Sequence, residues 1–157
     1  MCIRDRGNRS LICDGKNKDA VNNLNTFIKN RSPFRPTAPA MRFEIAEKFY
    51  QLRPELYDCY KSMSATCKCI KDNISLEFPT THVDGSARIQ IVEKDSSLDR
   101  LLSELEPMNI EILANSSLNV SGDPTCFDLI DGLMVCVRTP LRYLLTDIGL
   151  LTKKNID

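Results

Sequence analysis

The sequence predicts an α/β fold: a single domain with a twisted mixed sheet flanked by helices. Three observations predict it. Short apolar runs of strand length are interspersed along the chain with segments whose apolar residues recur every three or four positions. Asp-Gly, Asp-Pro and a proline-rich piece punctuate them. And 157 residues, 42% hydrophobic and 27% charged, suffice for one soluble core.

The first six residues, MCIRDR, resemble translated adapter read-through. They are read as a non-native leader, with the domain spanning 7–157 and beginning inside a larger protein. Residues 9–13 (RSLIC) form a short strand, and Asp14-Gly15 a turn. Residues 18–28 form a helix whose apolar face is Ala20, Val21, Leu24, Phe27 and Ile28. The next stretch, 29-KNRSPFRPTAPA-40, holds three prolines that stiffen and extend it. Period-two alternation then points Lys29, Arg31 and Arg35 to one side, where three cations call for an anion.

Residues 42–51 read as a helix and 62–70 as a strand. After the turn Val83-Asp84-Gly85 comes a strand, 87-ARIQIV-92, with Arg88 and Gln90 on one face. Ser96 caps the next helix, Asp99 completes a weak capping box, and Leu98, Leu101, Leu102 and Leu105 form its core stripe up to Pro107. A strand at 110–114 runs into a polar turn of Asn115, Ser116, Ser117, Asn119, Ser121 and Gly122. Asp123 and Pro124 open a helix to about Arg138, and 142-RYLLTDI-148 is the last strand.

Composition excludes several functions. No apolar run is long enough to span a membrane and no signal peptide is seen, so the expected compartment is the cytoplasm, with no membrane partner. Seven cysteines and one histidine, His82, lack zinc-ligand spacing, so the cysteines are reduced and structural and no metal site is expected in this chain. The five Asn-x-Ser sequons, at Asn8, Asn30, Asn73, Asn115 and Asn119, are incidental in that compartment. There is no P-loop, no GxGxxG and no GxSxG. Residues 1–42 carry nine Lys/Arg against three Asp/Glu, and the rest twelve against eighteen. That basic first segment suits a phosphate-bearing ligand, while the lack of a Lys/Arg run and of tryptophan argues against a nucleic-acid partner.

Four segments in order carry a resemblance: 7-GNRSLICD-14, 29-KNRSPFRPTAP-39, 82-HVDGSARIQIV-92 and 113-LANSSLNVSGDP-124. Together they resemble the C-terminal domain of the O-carbamoyltransferases, from Gly7 to about Leu151. The domain is similar to YrdC-like proteins, whose K-x-R…S-x-N signature is matched by Lys29-x-Arg31 and Ser117-x-Asn119. The resemblance implies a single YrdC-like domain in which carbamoyl phosphate and ATP, with its Mg2+, give carbamoyl-adenylate, phosphate and pyrophosphate. A missing N-terminal actin-like domain, with its own metal, would transfer the carbamoyl group to a hydroxyl-bearing small molecule.

By that match Lys29, Arg31 and Arg35 neutralise phosphates, Arg88 clamps carbamoyl phosphate or the adenylate, and Arg9 assists. Asn115, Ser117 and Asn119 hydrogen-bond carbamoyl or phosphoryl oxygens at the strand end, with Arg88, Lys29 and Ser117 nearest the chemistry. Thr37 departs from the family's usual Phe, Ser86 and Ile91 from Thr, and Ser116 and Leu118 from Thr and Phe. Two other readings compete. One is a non-catalytic nucleotide-binding module, the other a YrdC-like enzyme making threonylcarbamoyl-adenylate. HVDGSARIQ and PFRPTAP favour the carbamoyltransferase side.

Overall fold

A computed structural model describes residues 7–32, 35–70 and 79–154. The stretch 1–6 expected to be a leader, Pro33 and Phe34 of the proline loop, and the sequon at Asn73 lie outside these residues. The main sheet is built from β1 (Ser10–Asp14), β2 (Ala38–Met41), β6 (Gln90–Ile91) and β7 (Leu113–Ser117). Their spatial order is β1-β7-β2-β6. Central β7 runs antiparallel to β1 and β2, and β2 runs parallel to β6. The α/β class with a mixed sheet is therefore observed.

The remaining described strands form two smaller sheets. One is antiparallel, from β3 (Tyr50–Gln51), β4 (Cys67–Cys69) and β5 (Ser86–Ala87). The other is a hairpin of β8 (Tyr143–Thr146) and β9 (Gly149–Thr152).

The expected strand over 87–92 is split, because its two halves serve different sheets: Ala87 pairs with Cys67, and Gln90 with Ala40. At that crossover the alternation fails. Arg88 is exposed while Gln90 is buried, so the two do not share a face.

Among the described residues, five α-helices pack on this frame: α1 (Lys18–Asn23), α2 (Phe43–Phe49), α3 (Tyr57–Lys61), α4 (Ser97–Leu105) and α5 (Leu129–Arg138). The expected helix over 18–28 is α1 followed by a π turn, Leu24–Ile28. Its wider i→i+5 closure keeps Leu24 and Ile28 inside but swings Phe27 out to 63% exposure.

One sheet face, with Ile12, Ala40 and Leu113, packs on Leu98 and Leu102 of α4. On the other, Leu11 meets the π turn and α5, while Met41 and Ile91 meet α2, α3 and the second sheet. Thiols fill gaps in these cores. Burial pushes Cys13 up to about 11 and Cys67 up to about 12, so both stay protonated small hydrophobes at neutral pH.

Helix α4 begins as its sequence dictates, with Ser96 Oγ accepting from the Asp99 N–H at 3.2 Å. Asp99 also ties α4 to α2. Arg42 Nε donates to its carboxylate at 2.7 Å, and this bond, with one from the Asp95 N–H, holds the Asp99 carboxyl below the usual carboxylate range. A depressed folded pKa means the bond stabilises above the unfolded value of about 3.9, and the contribution is lost as pH falls through the folded value. Between about pH 5 and 3, urea midpoints are expected to fall more steeply for the native protein than for Asp99→Asn.

Candidate functional site

The polar run that reads as a turn is largely strand. Asn115, Ser116 and Ser117 lie in β7, opposite Ile12, Leu11 and Ser10 of β1. Pairing with β2 as far as Asn115 and with β1 out to Ser117 extends the strand past its apolar residues, because the ladder satisfies backbone groups whatever the side chains. Period-two alternation then sends Asn115 and Ser117 to one face and Ser116 to the other.

Lys29 follows the π turn in helical conformation, its N–H donating to the Leu24 carbonyl at 3.0 Å. Asn30 then takes a left-handed φ of 42°, and the Arg31 N–H turns back to the Asn25 carbonyl at 2.9 Å. The expected extended row of cations therefore does not form. Lys29 is buried, Arg31 half-buried and Arg35 exposed.

The Lys29 ammonium, in a side chain on a residue only 5% exposed, ends among four oxygens. It donates to the Ser117 carbonyl at 2.5 Å, Ser117 Oγ at 3.2 Å, the Asn119 carbonyl at 2.9 Å and Asn119 Oδ1. These four acceptors carry partial but no net charge. Asn119 is itself fixed: Oδ1 accepts from Ser117 Oγ at 2.7 Å, and Nδ2 donates to the Val120 and Asp123 carbonyls at 3.0 and 2.6 Å. The loop after β7 therefore wraps the ammonium.

Arg31 reaches the other face of the strand. Nη2 donates to Ser116 Oγ at 2.9 Å and Nη1 to Thr37 Oγ1 at 3.4 Å. The Thr37 hydroxyl in turn donates to Asn25 Oδ1 at 2.8 Å. Arg9 closes the same end of the sheet. Its carbonyl accepts from the Leu118 N–H at 2.8 Å, and its Nη1 donates to the Cys126 carbonyl at 3.0 Å. The Cys126 thiol feels this cluster. Burial raises its pKa most and Asp131 adds to that, while the positive charges of Lys29 and Arg9 pull it down.

The same loop delays the last helix. The Cys126 N–H donates to the Leu118 carbonyl at 2.9 Å and holds 118–126 in a non-helical path. So α5 starts at Leu129, capped by Asp128 Oδ1 accepting from the Asp131 N–H at 3.0 Å, and Asp123 with Pro124 does not open it. Asp123 instead pairs with Arg138 Nη1 at 2.6 Å.

Lys29, Arg31, Ser117 and Asn119 are therefore brought together, with Arg9 beside them. Asn115 is deeper than predicted: it is 1% exposed and its Nδ2 donates to Gln90 Oε1 at 2.7 Å across β2, where Ala38 and Ala40 leave room. Arg88 sits exposed two residues before Gln90. His82 positions its turn: its carbonyl accepts from the Gly85 N–H at 2.9 Å, and Gly85 has φ of 72°.

Sequence reasoning misses Ser116, Thr37 and Gln90 as partners of the site. A polar residue inside an apolar run is the signal that points to Thr37 and Gln90, while Ser116, within a polar run, carries none. Two surface cavities, of about 300 and 500 Å³, lie against α2 and include none of the predicted site residues.

The sequence profile of the family described as Carbamoyltransferase C-terminus matches residues 2–153. The chain belongs to this family. This carbamoyltransferase C-terminal domain is similar to nodulation protein NolNO of Sinorhizobium fredii, 27% identical over 155 residues that make up 97% of this chain and 23% of that protein. It is also similar to the 3'-hydroxymethylcephem-O-carbamoyltransferase of Streptomyces clavuligerus, 34% identical over 124 residues, 76% of this chain and 22% of that protein.

The domain thus spans about a quarter of the length of the curated relatives it matches. Its fold is similar to that of full-length HypF, solved in a phosphate- and nucleotide-bound form, with a TM-score of 0.59 over 80% of this chain and 19% of HypF at 19% identity. Among the described residues no helix is long and apolar enough to cross a membrane.

Proposed function

We propose that this domain binds ATP and carbamoyl phosphate and forms carbamoyl-adenylate, as one part of an O-carbamoyltransferase whose other domain passes the carbamoyl group to a hydroxyl. The observation that carries the reading is the Lys29 ammonium gathered with Ser117 and Asn119, with Arg31 on the neighbouring Ser116. Lys-x-Arg and Ser-x-Asn, 88 residues apart in sequence, meet at the carboxyl end of a central strand. HypF, the structural neighbour, was solved with phosphate and nucleotide, which agrees in kind.

The chemistry is balanced with one water. Carbamoyl phosphate loses its phosphate to water, and the carbamate oxygen then attacks the α-phosphorus of ATP and expels pyrophosphate. Lys29 and Arg31 hold phosphoryl oxygens as charge develops on them. Mg2+ arrives on the ATP phosphates, since it prefers phosphate and water oxygens. Arg88, exposed at the crossover, attracts the anions into place. Transfer falls to a separate actin-like N-terminal domain, with its own metal, ahead of residue 7.

The test is ATP–pyrophosphate exchange in the complete gene product, with and without carbamoyl phosphate. Exchange that depends on carbamoyl phosphate is expected. ATP binding without exchange would instead mark a non-catalytic nucleotide module, and exchange driven by threonine and bicarbonate a threonylcarbamoyl-adenylate synthase. Arg88→Glu is expected to lower exchange on the order of tenfold, since it reverses an exposed charge that would draw the anions in.

A further inference from the structure

Helix α5 breaks the pattern of a solvated surface helix. Its inner side, Gly132, Val135 and Cys136, is buried. Gly132 lets the hairpin close on it, for a Cβ there would stand 3.2 Å from Leu144 Cδ2. Its outer side is also apolar. Ile130, Leu133, Met134 and Val137 are 69%, 40%, 49% and 68% exposed, at the spacing that makes one continuous helical stripe.

Helix α4 is the internal control, because its exposed residues are Ser97, Arg100, Ser103 and Glu104. The chain therefore places polar residues where a helix of this domain faces water. The hairpin beside α5 repeats the anomaly: Leu145 and Leu150 face each other across the strands and are 78% and 61% exposed. Apolar surface gathered like this marks a contact face in a soluble protein.

We infer that the outer face of α5, with the outward side of the β8–β9 hairpin, docks the remainder of the carbamoyltransferase polypeptide. The occupant follows from length. The chain covers 19–28% of the length of the curated relatives it matches, so about three quarters of each lies beyond the region they share with it. A domain that folds next to a partner within one chain needs a covered face on each. The inference rests on the two-domain reading above and not on the adenylation chemistry.

Hydroxyl-radical footprinting of the complete gene product tests it in dilute, monodisperse solution. Met134 on α5 is read against Met108, which is 68% exposed in the turn Glu106–Met108 that follows α4, outside the proposed face. Met134 is expected to be oxidised at least five-fold more slowly than Met108, with Phe127 and Tyr143 slowed alongside after correction for intrinsic reactivity. Rates within roughly two-fold of each other, as bare exposure would give, overturn the proposal. Protection that appears only as protein concentration and dimer mass rise assigns the face to a second copy and overturns it too. Neither outcome depends on pyrophosphate exchange, so the adenylation reading stands or falls separately.

Discussion

Replacing Lys29 by Met is expected to lower stability by about 3 kcal/mol and to abolish measurable ATP binding. Methionine keeps the length of the side chain and removes every donor. Four oxygens that now accept from Nζ would face a thioether in a part-buried site. Leaving buried acceptors unmet costs about 1–3 kcal/mol, and losing charge-assisted bonds sets the loss at the upper end.

For a domain of this size 1 kcal/mol shifts the melting point by about 2–4 °C, so a fall of roughly 10 °C should appear by calorimetry. Ser117→Ala separates the structural from the ligand role. It deletes the 3.2 Å hydroxyl contact with Lys29 and the 2.7 Å bond from that hydroxyl to Asn119 Oδ1, leaving both carbonyls and Asn119 Oδ1 around the ammonium. It should cost about 1 kcal/mol, yet weaken nucleotide affinity by more than that stability loss implies. A Ser117→Ala domain that binds ATP as tightly as the native one would confine Lys29 to bracing the loop.

How far the sequence reveals this site depends on which interactions are local. Capping is local, so Ser96 and the α4 stripe are legible in the residues alone. The π turn is not. Leu24, Phe27 and Ile28 fit an ordinary helix equally well, and only tertiary packing selects the wider closure that turns Lys29 inward. The split of 87–92 between two sheets is likewise invisible, because apolar and polar residues alternate straight through it and the break lies in the partners.

The helix start fails for a related reason. Asp123-Pro124 is a sound local signal, but Asn119 Nδ2 and the Leu118 carbonyl hold the loop open until Asp128. The pairing of Lys29-x-Arg31 with Ser117-x-Asn119 is legible, since the family resemblance carries long-range information that periodicity lacks. The depth of Asn115 is not. A polar run reads as surface until a buried partner, Gln90, is known.

Arg31→Ala should separate chemistry from folding in a way Lys29 does not. The guanidinium is half-buried, and it bonds two hydroxyls, Ser116 Oγ and Thr37 Oγ1. Thr37 keeps its bond to Asn25 when Arg31 is gone. Stability should fall by about 1 kcal/mol. Exchange activity should fall about 10²–10³-fold, the usual cost of removing one preorganised charge from a phosphoryl transition state.

Arg31→Lys restores the charge without the planar fork. If the role is bidentate grip on a phosphate, lysine recovers no more than about tenfold of the loss. If the role is only to raise local potential, lysine recovers nearly all of it. Thr37 sharpens the comparison. Its hydroxyl is fully buried between Arg31 and Asn25, at a position where the family resemblance leads one to expect Phe. Thr37→Val removes that hydroxyl at almost constant volume, so the Arg31 fork loses one brace and keeps Ser116. A smaller loss of exchange than Arg31→Ala, expressed in kcat with KM for ATP little changed, is the result expected of a residue that positions the arginine and does not touch substrate.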